Sequence, residues 1–296
     1  MPKKKISKFD QKTNGLLNFS DLHHVKFKVL YWSLFVFMFV IALICFLPVV
    51  WVFLSGFKSV KEMYAVPPTL LPKSIDLSVI KDVWNKVDMQ KYIINSLILI
   101  VGCWATGIFI PAFAAFSISR IKPIGAKFID KAIFITMLLP GATMVANYMF
   151  FAEIDLVGTN IPLFLMAATN AMNILYFKVF FNGIPITYLE AARIDGCSDI
   201  RAFFSIIFPL SKPIVVVLSI YSIVGTWGSF MDPYLYLSNT DLEPVSVMLY
   251  KVGNSALLME NEYLVLLMLS IIPMMIVYAI FSRHISGGLN MSGLKG

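Results

Sequence analysis

Six apolar runs divide this chain, and polar, charged segments separate them. The runs cover about residues 29–57, 95–119, 132–151, 161–181, 214–236 and 263–281. A helix needs roughly 20 apolar residues to cross the hydrocarbon of a bilayer. Each run approaches or exceeds that length, so the pattern predicts six membrane-spanning helices. The first run is about twice a signal-peptide core of about 7–15 residues and lacks a small-residue cleavage end. It reads as an uncleaved span. Pro48, Pro111 and Pro273 lie inside runs, and Pro140-Gly141 predicts a kink in the third. Between the first two runs, Ile80, Val83, Trp84 and Val87 share one helical face, which predicts a short helix at the membrane surface.

Residues 182–213 break the apolar pattern most sharply. Thr187 and Glu190 have the T-x-x-E spacing of a capping box, which predicts a helix beginning at Tyr188. Gly196 is placed to end it in the left-handed conformation. Ser198 can cap a second helix, with Ile200, Phe203, Phe204, Ile207 and Phe208 on one face. Pro209 is expected to stop that helix. Taken by itself, this pattern also fits an ordinary amphipathic connector.

Composition strengthens the membrane reading. The chain is 58% hydrophobic and 14% charged, where a soluble domain carries about 25% charged residues. The formal net charge is +7, but the basic residues sit in loops rather than on a nucleic-acid-binding face. Segments 1–28, 120–131, 178–212 and 283–296 hold 17 of the 24 Lys and Arg. By the positive-inside rule they are cytoplasmic. Both termini and the 182–213 loop then share the cytoplasmic side. The six lysines of 58–91 run against this assignment. Cys45, Cys103 and Cys197 are odd in number and scattered, so no disulfide framework or metal motif is indicated. His23, His24 and His284 flank the runs and form no ligand set.

The charged loop carries a resemblance. Glu190-Ala191-Ala192, then Gly196, then Ile206-Ile207-Phe208-Pro209 resembles the EAA loop of bacterial ABC importer permeases. The wider similarity, over about residues 30–296, is to carbohydrate permeases of the maltose (MalG) type. It includes Asn95-Ser96, Gly225-Thr226-Trp227 and the ending Gly288-Leu289 with Gly293, Lys295 and Gly296. Gly228 stands where the family often has Asn, and Gly293 lies one place later than is usual. The resemblance implies an all-α integral-membrane fold of the type I importer (MetI/MalG-like) class, with six spans. The chain then divides into a basic arm (1–28), which lies outside the similarity, a permease domain (29–282) that includes the 182–213 loop, and a tail (283–296). It also implies that Glu190, Ala191, Ala192, Arg193, Asp195, Gly196 and Pro209 belong to a helix that docks on a cytoplasmic ATPase. Gly293, Lys295 and Gly296 would reach between ATPase subunits.

No G-x-x-x-x-G-K-[ST] occurs, and no Ser/His/Asp set is present. The chain reads as a transport subunit and not an enzyme. It has no cofactor of its own; ATP and Mg²⁺ belong to the partner. Polar residues inside spans are the remaining signal. Thr136, Thr143 and Asn147, then Thr169, Asn170 and Asn173, then Ser219, Ser222, Thr226 and Ser229 fit either helix packing or a wet path. Asn147, Asn170 and Asn173, with Tyr148, Tyr221 and Trp227, are the substrate-path candidates.

The expected function is an importer permease for a sugar or oligosaccharide in the bacterial cytoplasmic membrane. Its expected partners are a second permease, two ATPase subunits and an extracytoplasmic solute-binding protein, with no nucleic acid. A permease for amino acids or phosphate is the alternative. A gradient-driven transporter fits less well, because no charged residue sits at mid-depth in a run.

Overall fold

A computed structural model describes residues 25–66, 69, 71–73, 77–137 and 143–291. The chain divides into two compact units, residues 1–75 and 76–296.

In the first unit, helix α1 (Val25–Ser55) carries Pro48 inside it. Its apolar side chains are exposed on every side, as befits a helix surrounded by lipid or by another chain. After a turn comes α2 (Val60–Met63). Here Lys58 and Glu62 are buried. Lys58 donates to the Thr69 carbonyl and sits 4.6 Å above the Trp51 ring, while Glu62 accepts from the Lys73 amide at 2.7 Å. Part of the positive charge that ran against the loop count is therefore sequestered by local bonds.

The second unit is built on α4 (Met89–Phe116), preceded by α3 (Ser78–Val87). The predicted apolar face of α3 exists: Val83 and Val87 are buried. That face packs on α4 and on α15 (Glu260–Met291), so it is turned to protein. A π-helical turn, Ser117–Ile121, extends α4. Then come α5 (Ala126–Met137) and α6 (Thr143–Glu153). Pro140-Gly141, expected to kink the third run, lies outside the described residues. The fourth run is two helices, α7 (Ile161–Ala168) and α8 (Ala171–Gly183), where one was expected. The charged loop forms α9 (Thr187–Ile194), α10 (Asp199–Ala202), a π-helical turn Phe203–Ile207 and α11 (Phe208–Leu210). Next are α12 (Lys212–Gly228), α13 (Met231–Leu237) and α14 (Val245–Gly253). The backbone of α15 continues through Met291, so most of the expected Gly-rich tail is helical. Gly293, Lys295 and Gly296 lie outside the described residues.

Four helical stretches among the described residues are long and apolar enough to span a bilayer. They are Val29–Ser55, Met89–Ile121, Ile161–Gly183 and Glu260–Ile280. The bent pair Asp199–Leu210 and Lys212–Gly228, at 79°, gives a fifth if counted as one span.

Two packed clusters lie along α4. Toward its Arg120 end, Ile108, Ala112 and Phe116 meet Phe177 and Phe181 of α8, Leu189 of α9 and Phe203 of the π-turn. Toward its Asn95 end, Leu99 and Cys103 meet Leu163, Phe151, Tyr236 and Leu237. In lipid, such contacts hold helices together through close packing rather than water exclusion. At Gly102, α4 comes so close to α7 that an added Cβ would lie 2.2 Å from the Phe164 ring. The predicted Asn95-Ser96 pair has a definite task. Asn95 donates to the carbonyls of Asp241 (2.7 Å) and Glu243 (3.0 Å), and Ser96 accepts from the Val245 amide at 2.9 Å. Together they fix the loop that leads into α14. Lys91 pairs with Asp241 at 2.5 Å, and that bond holds the Asp241 carboxyl below its usual value.

Candidate functional site

Two regions of the second unit gather the residues singled out from the sequence. The first is the charged loop. Its helix starts at Thr187, one residue earlier than the capping-box reading, and no side chain caps it. The Pro185 and Ile186 carbonyls already accept from Tyr188, Leu189 and Glu190, so Thr187 is inside the helix and its hydroxyl has no cap to make. The far end is as expected. Gly196 has φ +74°. Its amide donates to the Arg193 carbonyl at 3.0 Å, and the Cys197 amide donates to the Ala192 carbonyl at 2.9 Å. These are the paired bonds of a Schellman ending. Ser198 then caps α10 by accepting from the Arg201 amide at 3.4 Å. Arg193 bonds Asp199 at 2.9 Å, which ties α9 to α10 and raises the Arg193 pKa above its ordinary value.

The second helix of the loop differs from its predicted wheel. Phe203 and Ile207, the first and last residues of the π-turn, are buried while Ile200 and Phe204 are exposed. Pro209 does not end the helix; the break falls at Ser211. The wide turn comes directly before Pro209, whose missing N–H would leave a gap in an α-ladder. The buried Ser211 hydroxyl caps the break, donating to the Ile207 carbonyl at 2.7 Å. Burial divides α9 between two roles. Leu189 and Ala192 face the core, whereas Glu190, Ala191, Arg193 and Asp195 are exposed, and Ile194 is 86% exposed. Pro209 is exposed as well. Charged groups interleaved with bare Ile194, Ile200 and Phe204 make a surface suited to another protein.

Arg120, from the π-turn after α4, reaches under this element and donates to the carbonyls of Phe181 and Ile184. Both lie at the C-terminus of α8, where a cation is favourable, and the Phe181 carbonyl also accepts from the Ile184 amide at 3.0 Å. Sequence reading took Arg120 only as a loop charge. A basic residue 60 or so positions away carries no pattern that marks it as a cap.

The second region is a cavity of about 380 Å³ between α4, α7, α8, α12 and α13. Asn170, Asn173 and Tyr221 line it, and so do Ser222, Thr226 and Ser229 from one side of α12. Asp232 supplies a carboxylate. Asn170 sits at the break in the fourth run and caps α8, accepting from the Asn173 amide at 3.1 Å. Asn173 donates its side-chain N–H to the Gly107 carbonyl at 3.0 Å. Both amides therefore hold structure and face the cavity. Ser219, first of the α12 stripe, belongs to packing, because it accepts from the Trp104 indole at 2.7 Å. Tyr221 is 74% exposed and forms no hydrogen bond or ring contact among the described residues.

The other path candidates lie elsewhere. Asn147 is half-buried on α6 outside the cavity lining, and Tyr148 packs against Tyr236 with ring centres 5.9 Å apart. Trp227, half-buried on α12, is not among the lining residues either. Among the described residues, no cluster of His, Cys, Asp or Glu could hold a metal ion.

Comparison with known proteins bears on both regions. Residues 107–290 match the profile of a family described as the binding-protein-dependent transport system inner membrane component. That match takes in the charged loop and all of the cavity lining except Leu99 and Cys103. The polygalacturonan/rhamnogalacturonan transport system permease protein YtcP of Bacillus subtilis is 27% identical over 275 residues, covering 88% of this chain and 96% of that protein. The diacetylchitobiose uptake system permease protein NgcG of Streptomyces coelicolor is 25% identical over 267 residues, covering 86% of this chain and 85% of its own length. Among solved structures, a chain of a bacterial ABC transporter involved in the import of the acidic polysaccharide alginate superposes with a TM-score of 0.79. It is 21% identical, and the match covers 88% of this chain and 98% of that one, which establishes a shared fold.

Proposed function

Since the chain belongs to the family of binding-protein-dependent transport system inner membrane components, a bacterial cell-membrane permease subunit of an ABC importer that leaves ATP hydrolysis to a separate subunit, we propose that its cargo is an oligosaccharide and that residues 187–210 are its ATPase-coupling element. The observation that carries the cargo reading is the lining of the cavity. Amides, hydroxyls and a tyrosine converge there, and a sugar giving up water needs such fixed partners. Asp232 adds an acceptor suited to paired hydroxyl donors. The names of YtcP and NgcG, both carriers of sugar polymers or oligomers, support the same class.

Coupling is supported by the shape of the loop. A helix ending in a Schellman turn, pinned to the next helix by Arg193 and Asp199, presents Glu190, Ala191, Asp195 and Ile194 as one rigid surface. In this reading the permease pairs with a second permease and two ATPase subunits, and a solute-binding protein delivers the sugar outside. It has six spans, with both termini and the 187–210 element in the cytoplasm, and the tail from 283 onward extends to the ATPase. Basic Arg120, Lys122, Lys127, Lys131, Lys178, Arg193 and Arg201 all fall on the side assigned to the cytoplasm.

Two experiments test these parts. In a Cys45→Ser background, Cys197, which is half-buried in the loop, is expected to react with a membrane-impermeant maleimide in inside-out vesicles and not in intact cells. Labelling of intact cells reverses the orientation. For the path, Tyr221→Ala is expected to lower the oligosaccharide transport rate by roughly two- to tenfold, the worth of one lost hydrogen bond. Assembly and ATPase stimulation by the binding protein should stay as in the parent. An unchanged transport rate removes the cavity from the sugar path. Tyr221 is the cleaner choice than Asn170 or Asn173, because those two also cap α8 and hold Gly107.

A further inference from the structure

A second pair of cavities lies between α5 and α8, away from the sugar cavity. One, of about 520 Å³, is lined by Ser119, Lys122, Lys127, Asp130, Lys178 and Asn182. The other, of about 310 Å³, is lined mainly by Ile133, Phe134, Met137, Ile174 and Leu175. Asp130 and Lys178 line both, and their ion pair marks the seam. The two cavities thus form one cleft with a charged end and an apolar end.

The charged end has unspent capacity. Neither Lys122 nor Lys127 forms an ion pair among the described residues. Three lysines face one aspartate, so the site favours an anion. Ser119 is only 6% exposed, and its hydroxyl has no hydrogen-bond partner. A buried hydroxyl left unpaired is costly, and this one lines the cavity beside the lysines. The charged end lies at the start of α5 and the close of α8, and the apolar end lies two turns deeper along both helices.

We propose that this cleft binds an anionic phospholipid of the cytoplasmic leaflet, with its phosphate at Ser119, Lys122 and Lys127 and an acyl chain along Ile133, Met137 and Ile174. The choice of leaflet rests on the orientation proposed above. Basic pockets between spanning helices on the cytoplasmic side are suited to such headgroups. The apolar continuation selects a lipid over a soluble phosphate. The chain's own N-terminal arm is excluded by charge, because it is rich in lysine. The Asp130–Lys178 pair at the seam would meet the glycerol backbone, where polar ester groups need partners.

The test uses the assembled importer, purified in micelles that contain equal phosphatidylcholine and phosphatidylglycerol, with bound lipid read by native mass spectrometry. Lys122→Gln/Lys127→Gln is expected to reduce retained phosphatidylglycerol by about thirtyfold, about fivefold for each lysine. Retained phosphatidylcholine should not change, and Lys122→Arg/Lys127→Arg should behave as the parent. Equal retention of phosphatidylglycerol by the Gln pair overturns the proposal. So does a parallel loss of both lipids, which would mean an unselective apolar groove, and so does displacement by inorganic phosphate, which would mean a soluble ligand. If the Gln pair does not assemble, a photoactivatable phosphatidylglycerol on the unaltered complex decides. Crosslinks within 119–182 are expected from it and not from the phosphatidylcholine analogue; their absence overturns the proposal. The readout needs no transport, so it fails or succeeds separately from the sugar assignment.

Discussion

Gly196→Val is expected to leave the subunit in the membrane and to reduce transport by tenfold or more. Gly196 holds φ +74° at the junction of α9 and α10, and an added Cβ would meet nothing within 4 Å. The cost is therefore one of backbone conformation and not of crowding. An L-residue pays about 1–2 kcal/mol in the left-handed region, and a β-branched one is a sharper outlier. Relief comes by undoing the turn, which loses the bonds from Gly196 to Arg193 and from Cys197 to Ala192. The Arg193–Asp199 link across the turn is lost with them. In assembled complexes, ATP hydrolysis should continue while sugar import falls. Gly196→Asn separates the causes, since Asn tolerates a positive φ; it should retain most of the transport. Normal import by the Val variant would show that this turn does not transmit the ATPase stroke.

Arg120→Leu should have the largest effect on stability. The guanidinium supplies charge-assisted bonds to the Phe181 and Ile184 carbonyls, and such bonds contribute about 1.5–3 kcal/mol each. Without them the Ile184 carbonyl loses its Arg120 partner, and the Phe181 carbonyl keeps only the Ile184 amide. A loss of about 3 kcal/mol in all is expected, seen as a lower unfolding temperature of the complex and a reduced amount in membranes. Arg120→Lys keeps the charge but loses the fork that reaches two carbonyls, so it should recover about half. Wild-type thermal stability in the Leu variant would mean that the contact is incidental. Transport per assembled complex discriminates further, because Arg120 anchors the entry to α9 and its loss should weaken coupling as well.

The legible parts of this chain were those set by a single residue's chemistry. Gly196 and Ser198 announced a turn and a cap, and both are there. Asn95-Ser96 marked the start of the second apolar run, but α4 already begins at Met89, and the pair inside it proved to be a clamp on a distant loop. Other features depend on partners that no local pattern names. Thr169 and Asn170 looked like polar residues inside one span, but the helix breaks there, and Asn170 caps α8 while facing the cavity. A regular wheel put Ile200, Phe203, Phe204 and Ile207 on one face, but the chain there is a π-turn from 203 to 207, and Phe203 and Ile207 are buried while Ile200 and Phe204 are exposed. Of the path candidates, the amides and tyrosine nearest the break or on α12 reach the cavity. Asn147, Tyr148 and Trp227 share their composition but not their direction.

The contact of Gly102 with Phe164 also governs how near α7 can lie to α4. The ring rests where a side chain on α4 would stand. On α7, Leu163, Met166 and Ala167 line the cavity of about 380 Å³, which Tyr221 and Thr226 of α12 line as well. Any larger residue at 102 must push α7 aside or turn the Phe164 ring. The setting of α7 thus depends on a single hydrogen atom, at a position of α4 that does not itself line the cavity.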